Sequence, residues 1–107
     1  MAVDVSRSSL ELLLLAGLAE RPAHGYRLIE ELRRRSDGAF DFAEGSVYPV
    51  LHRLEQAGLL TSGWVEASGR RRRVYRLTRK GRRVLDRRRR DWEAYTRAVA
   101  LVLERGG

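Results

Sequence analysis

Cysteine is absent from this chain of 107 residues. Disulfides and thiolate metal sites are therefore excluded, and the composition fits a reducing compartment, the cytoplasm. Histidine occurs only at His24 and His52, and no metal or other cofactor is expected. No apolar run approaches the roughly 20 residues of a membrane span. The longest, Leu12 to Leu18, follows no basic leader, so a signal peptide is not expected. Signs of catalysis are missing as well. There is no cysteine nucleophile, no phosphate-cradling glycine loop and no carboxylate pair at a plausible pocket. Arg79-Lys-Gly81 lacks the upstream glycine and the following Ser/Thr of a nucleotide-binding loop. An enzyme is not expected. Lysine is nearly missing, with one lysine among 22 basic residues; a GC-rich genome explains that as readily as function does.

What the chain has is positive charge in one place. The formal net charge is +8. Gly69 to Arg90 holds 13 of the 22 basic residues against a single acid, Asp86, while the remainder holds 9 bases against 13 acids. A concentrated cation on a mildly acidic body points to a phosphate backbone. A solvated basic face or a membrane-surface patch would show the same composition. Nucleic acid leads because the run sits beside a hairpin and a helix–turn–helix pattern.

The length fits one domain, large enough for a core without staples. Met1 to Arg7 is polar and expected to be frayed. Ser8-Ser-Leu-Glu11 has capping-box spacing, and a first helix should follow to about Glu20. It is apolar on more than one face, which suggests a partner element beside the domain core; Leu10 and Leu14 are placed at that partner face. Arg21-Pro-Ala23 breaks the chain. A second helix runs from about His24 to Arg35, with Tyr26, Leu28, Ile29 and Leu32 inward. His24 caps or packs at its start.

The third helix lies within Glu44 to Gly58. Val47, Val50, Leu51, Leu54 and Ala57 recur at three- and four-residue steps and make one apolar face. Ser46, Pro49, His52, Arg53 and Gln56 fall largely on the other, a short-chained hydrogen-bonding surface suited to base edges. An ordinary surface helix would look the same. The start is open: Asp41 and Ser46 are both candidate caps. Starting at Ser46 puts Pro49 in the first turn, while starting at Asp41 costs a bond or a kink. Gly58 closes the helix.

Leu59 to Ala67 reads as a strand, Ser68-Gly69 as a hairpin turn and Arg73 to Leu77 as the return strand. Tyr75 and Leu77 share a face, with Trp64 packed on the same layer. The tip carries Arg70, Arg71, Arg72 and Arg73, which together with Lys80 are placed on phosphates. This ribbon is a wing, able to reach a minor groove, where arginine is favoured. Thr78 caps a last helix that runs to about Glu104, roughly 40 Å long. Leu85, Trp92 and Val99 are spaced by sevens, as are Arg88, Tyr95 and Val102. A helix that long cannot bury its apolar face on so small a domain, so the expected cover is a second copy, with Leu10, Leu14, Leu85, Trp92, Tyr95, Val99 and Val102 at the contact. Packing on the first helix is the plainer alternative. The expected architecture is mainly α with a small β-hairpin: residues 1–7 as a flexible N-terminus, 8–77 as a winged helix–turn–helix domain that binds DNA, and 78–107 as a dimerisation helix.

These motifs resemble the PadR-like winged-helix transcriptional regulators in their short form, with a single C-terminal helix. The resemblance rests on Leu12 to Leu15, Pro22, His24-Gly-Tyr26, Gly45-Ser-Val-Tyr-Pro49, Leu51, Arg53-Leu-Glu55, Gly58-Leu59 and Trp64. It continues through Arg73-Val-Tyr-Arg-Leu-Thr78, Gly81, Leu85 and Trp92, covering about residues 8 to 100. Tyr-Pro in the third helix combined with Tyr-Arg-Leu-Thr-x-x-Gly after the wing is its most specific part. It implies a homodimer that binds a palindromic operator and usually represses a nearby gene. It also implies an early start for the third helix with Pro49 inside it, Tyr48 and its neighbours at the DNA face, and a wing on phosphate or minor groove. In some short-form members a tryptophan on the last helix stacks against flat drug-like molecules in a cavity of the dimer. Trp92 occupies the matching place, with Tyr95 nearby, so a small aromatic ligand is a further implied partner. This chain departs in carrying Arg87 to Arg90 just before it, charges that line the pore or contact DNA. A winged-helix module that binds RNA or a protein partner, without an operator, fits the same residues.

Overall fold

The structure, a computed structural model, describes residues 5–105. Helices α1 (Arg7–Glu20), α2 (Gly25–Arg35) and α3 (Glu44–Gln56) are followed by strands β2 (Leu60–Ala67) and β3 (Arg70–Leu77) and by helix α4 (Arg79–Arg105). A two-residue strand, β1 (Ala23–His24), precedes α2 and pairs antiparallel with β3, giving the sheet order β1-β3-β2. The expected hairpin is therefore a three-stranded sheet; two residues are too few to show alternation in a sequence. Of the N-terminal stretch expected to be frayed, residues 1–4 lie outside the described residues. Ser6 and Arg7 are ordered, because the Ser6 side chain, not that of Ser8, caps α1 by accepting the Ser9 N–H.

The core is wholly apolar among the described residues. Leu14, Leu15, Leu28, Val47, Leu51 and Leu85 are its most enclosed members. In α2 the buried stripe is Gly25, Leu28, Ile29 and Leu32, an i, i+3, i+4, i+7 series. Tyr26 falls beside that stripe rather than on it, and is half exposed instead of inward. Leu10, Leu14 and Leu85, expected at a dimer contact, are already buried within one chain. They close α1 and α4 onto the core and leave no surface for a partner.

His24 caps α2, its Nδ1 accepting the Arg27 N–H at 3.1 Å. Burial, then the nearby Arg72 and Arg27 charges, lower its pKa below the ordinary 6.5. The cap needs the neutral ring, because a protonated Nδ1 is a donor. The unfolded chain thus binds the proton first, so stability is full above pH 6.5 and falls as pH drops from there through the folded pKa. His24→Asn keeps a capping acceptor without titrating. Its stability should fall less between pH 7.5 and 5 than that of the parent protein, as followed by the melting temperature. Parallel curves for the two proteins would refute the assignment.

Helix α3 starts at neither expected cap. Ala43 is the N-cap and makes no side-chain bond; its carbonyl accepts from Ser46 and Val47. Asp41 instead lies 3.8 Å from Arg33. Pro49 is the sixth helical residue, beyond the first turn, so Gly45 loses its usual backbone donor. Val47, Val50, Leu51 and Leu54 are buried, as expected, and Ala57 is exposed at the C-cap.

The C-terminus of α3 is a three-way joint. Gly58 (φ 80°) ends the helix in a Schellman motif, with Leu59 N–H on the Leu54 carbonyl and Gly58 N–H on that of Glu55. Thr78 then donates its N–H to Leu59 and its hydroxyl to the Gly58 carbonyl, while also capping α4 through the Gly81 N–H. Lys80 Nζ donates to the Ala57 carbonyl at 3.1 Å. Gly81 packs so closely on Leu59 that an added Cβ would overlap its carbonyl. The first turns of α4 thus belong to the core, and Arg88 fastens the next turn to α1 through a 2.8 Å ion pair with Glu11. From Arg89 through Glu104 every residue of α4 is exposed. No helix among the described residues is long and apolar enough to cross a membrane.

Candidate nucleic-acid interface

The outer face of α3 is polar and open. Gly45, Pro49, His52 and Gln56 follow one another at four-, three- and four-residue steps along its centre, and all are exposed. Ser46 lies exposed on one flank. Arg53, on the same flank, is half-buried, its Nε enclosed and without a hydrogen-bond partner. Tyr48 lies on the opposite flank, partly exposed. Its ring rests on Gly25, where a Cβ would come within 2.6 Å of it. The bare glycine at the start of α2 thus seats Tyr48 beside the outer face.

The arginines are not on a tip loop. Ser68 and Gly69 form the whole turn, both with positive φ (53° and 74°), as a two-residue hairpin turn demands. Arg70 to Arg73 are therefore strand residues, paired with Ala67, Glu66, Val65 and Trp64 in that order. Strand alternation divides them. Arg71 and Arg73 share the face of Tyr75, which is buried toward the core; Arg70 and Arg72 take the other face, where Arg72 nears His24. Trp64 does share the Tyr75 face but is 57 % exposed. It lies beyond the core, under the guanidinium groups of Arg71 at 4.9 Å and Arg73 at 5.5 Å.

Arg73 is committed three ways. Besides stacking on Trp64, its Nε donates to Ser62 Oγ at 2.9 Å, and its terminal nitrogen lies 3.8 Å from Glu55 on α3. Ser62 Oγ in turn donates to Glu55 at 2.6 Å. Lys80 is committed as well, as a helix cap. Arg73 and Lys80, both expected on phosphate, thus hold the fold, whereas Arg70, Arg71 and Arg72 make no ion pair among the described residues. The structure gathers Ser46, Tyr48, Pro49, His52 and Arg53 on one helix and sets the arginine strand beside it. Glu55, Ser62, Trp64 and Gly25 went unrecognised as parts of this site. A signal existed for the middle two: a two-residue turn at 68–69 dictates that Trp64 faces Arg73 and Ser62 faces Tyr75.

A recognition-type helix braced by an arginine-bearing wing agrees with what sequence comparison finds. Residues 14–87 match the transcriptional regulator PadR-like family. The chain belongs to that family. A transcriptional regulator of Mycobacterium tuberculosis, Rv3488, is 40% identical over 96 residues, covering 90% of this chain and 87% of its own. Among solved structures, a PadR-family transcriptional regulator from Eggerthella lenta is similar at 36% identity and a TM-score of 0.78, over 92% of this chain and 84% of the other. The protein smu.1704 of Streptococcus mutans superposes with a TM-score of 0.83 at 30% identity, over 97% and 94% of the two chains. PadR-like proteins are transcriptional regulators, not enzymes. The four helices and three-stranded antiparallel sheet are the PadR winged-helix fold.

Proposed function

We propose that this PadR-like chain is a homodimeric, sequence-specific DNA-binding regulator that represses transcription from a palindromic operator. The observation that carries the reading is the open polar side of α3 fixed beside a strand of arginines. In this reading α3 enters a major groove with Ser46, Pro49, His52 and Arg53 toward the bases and Tyr48 at their edge. The Nε of Arg53 has no partner within the chain and is left to donate to a base acceptor. Arg70, Arg71 and Arg72 meet phosphate or the adjoining minor groove. Trp92, Tyr95, Val99 and Val102, exposed along α4, face a second copy. The two recognition helices then read half-sites roughly 34 Å apart. The test is a titration against the duplex upstream of the protein's own gene, with a scrambled duplex alongside, at two salt concentrations. Tight, sequence-dependent binding by two protomers is expected. Equal, strongly salt-dependent binding to both duplexes would reject operator recognition and favour a module for RNA or a protein partner.

A second reading, release by a small aromatic ligand, is favoured by one cavity. It has a volume of about 540 Å³ and is lined by Leu12 and Leu13 of α1, Trp92 of α4 and Phe40 of the α2–α3 connection. Phe40 stacks on Phe42 at 5.8 Å, one residue before the Ala43 cap of α3. A planar molecule against Trp92 would press on the segment that sets the recognition helix. Quenching by planar compounds that is lost in Trp92→Ala, together with weakened operator binding, is the expected result. Quenching with no effect on DNA would limit the cavity to binding alone.

A further inference from the structure

A carboxylate beside a phosphate-binding surface repels the ligand that the surface serves. Glu55 is such a carboxylate, on the α3 flank that adjoins the wing. Both of its oxygens are engaged there. Oε2 accepts the Ser62 hydroxyl at 2.6 Å, and Oε1 lies 3.8 Å from the Arg73 guanidinium. Ser62 Oγ also accepts from Arg73 Nε at 2.9 Å, so one hydroxyl links helix to both strands. The Arg73 plane then lies over Trp64, which Arg71 covers from beside it. Tyr75 is buried next to this chain of groups, its phenol pushed up by burial.

We infer that Glu55, Ser62, Arg73 and Trp64 form a latch that fixes the angle of the wing against α3, with Glu55 as a positioning residue rather than a DNA contact. The inference rests on the DNA-binding reading above and deepens it. A two-stranded ribbon projecting past the core has little apolar contact to hold its pitch. One charge-assisted chain from helix to ribbon supplies it. Arg73 is spent on the latch, which leaves Arg71, lying over the same indole, at a set distance from the outer face of α3. The wing phosphate contacts and the base contacts of α3 are then in one register, which is what lets two weakly specific surfaces read one site.

The test uses the full chain labelled with 5-fluorotryptophan. Its two fluorine resonances are assigned by Trp64→Phe. Glu55→Gln and Ser62→Ala should each move the Trp64 resonance toward that of free 5-fluorotryptophan and leave that of Trp92 in place. Ser62→Thr, which keeps the hydroxyl, should behave as the parent. An unmoved Trp64 resonance in both Glu55→Gln and Ser62→Ala overturns the latch. In the DNA titration, Glu55→Gln should lower the ratio of upstream to scrambled affinity by on the order of tenfold, the worth of about one charge-assisted hydrogen bond. Equal tightening on both duplexes would mean that Glu55 only repels phosphate. A loss confined to one operator base pair, with Trp64 unmoved, would make it a base contact. Either result overturns the proposal. The fluorine measurement needs no DNA, so a parent protein that fails to discriminate duplexes rejects operator recognition while the latch is still decided.

Discussion

Replacing Arg70, Arg71 and Arg72 together by glutamine should weaken binding to any duplex, matched or scrambled, by on the order of 10²-fold at 0.15 M salt. The reasoning is counterion release. Each phosphate neutralised by a cation contributes about −0.9 to the slope of log K against log salt, so losing three contacts should flatten the slope by about 2.7. These three arginines are chosen because no ion pair in the described residues holds them, unlike Arg73. The core should be untouched, since none of the three is among its buried residues; Arg70 and Arg71 are exposed and Arg72 is half-buried near His24. Arg73→Gln supplies the contrast. It should leave the slope nearly unchanged and lower discrimination, because its guanidinium is already spent inside the protein. Titrations at four salt concentrations with both variants check this. A slope equal to that of the parent in the triple variant would remove the wing from the interface.

Gly81→Ala should be the most damaging alanine replacement among the described glycines, destabilising by about 3 kcal/mol, the upper range for overpacking. An added Cβ meets the Leu59 carbonyl, a backbone atom, and the Leu77 side chain at 2.9 Å. The start of α4 cannot retreat easily, because Thr78 and Lys80 tie it to Ala57, Gly58 and Leu59 at the end of α3 through three hydrogen bonds. Denaturant melts of Gly81→Ala and, for comparison, of Gly63→Ala measure it. Gly63 has open space around its Cβ position, and its substitution should cost under 1 kcal/mol. Similar midpoints for the two variants would show that the joint yields.

Helices α2 and α3 were readable because each carries an apolar stripe that only one period fits: Val47, Val50, Leu51 and Leu54 in α3, and Leu28, Ile29 and Leu32 in α2. Ser68-Gly69 announced the turn, and with it the register of eight strand pairs. The run Arg70 to Arg73 misled, since four like charges suggest a solvated loop while the ladder places them in a strand. The two-residue β1 has no pattern of its own and exists only by pairing with Val74 and Tyr75. Glu55, Arg73 and Lys80 show the deeper limit. Their types are visible in the sequence, but whether a charge meets a ligand or a neighbour depends on which elements fold beside it. The same holds for Leu10, Leu14 and Leu85: heptad spacing and apolar faces cannot tell a partner's surface from the chain's own core.

The wholly apolar core has a practical reach. Apart from the Tyr75 phenol, no polar or charged side chain is buried among the described residues. Arg33–Asp41, Arg34–Glu31 and Arg35–Glu20 sit where water reaches them, and exposed pairs contribute only about 0–1 kcal/mol each, whereas Arg73–Glu55 and Arg88–Glu11 are partly buried. Ionic strength therefore has little grip on whether this protein is folded. Salt can be swept across a DNA titration with little unfolding background, and the response reports on the charged surface and on the Glu55–Arg73 contact.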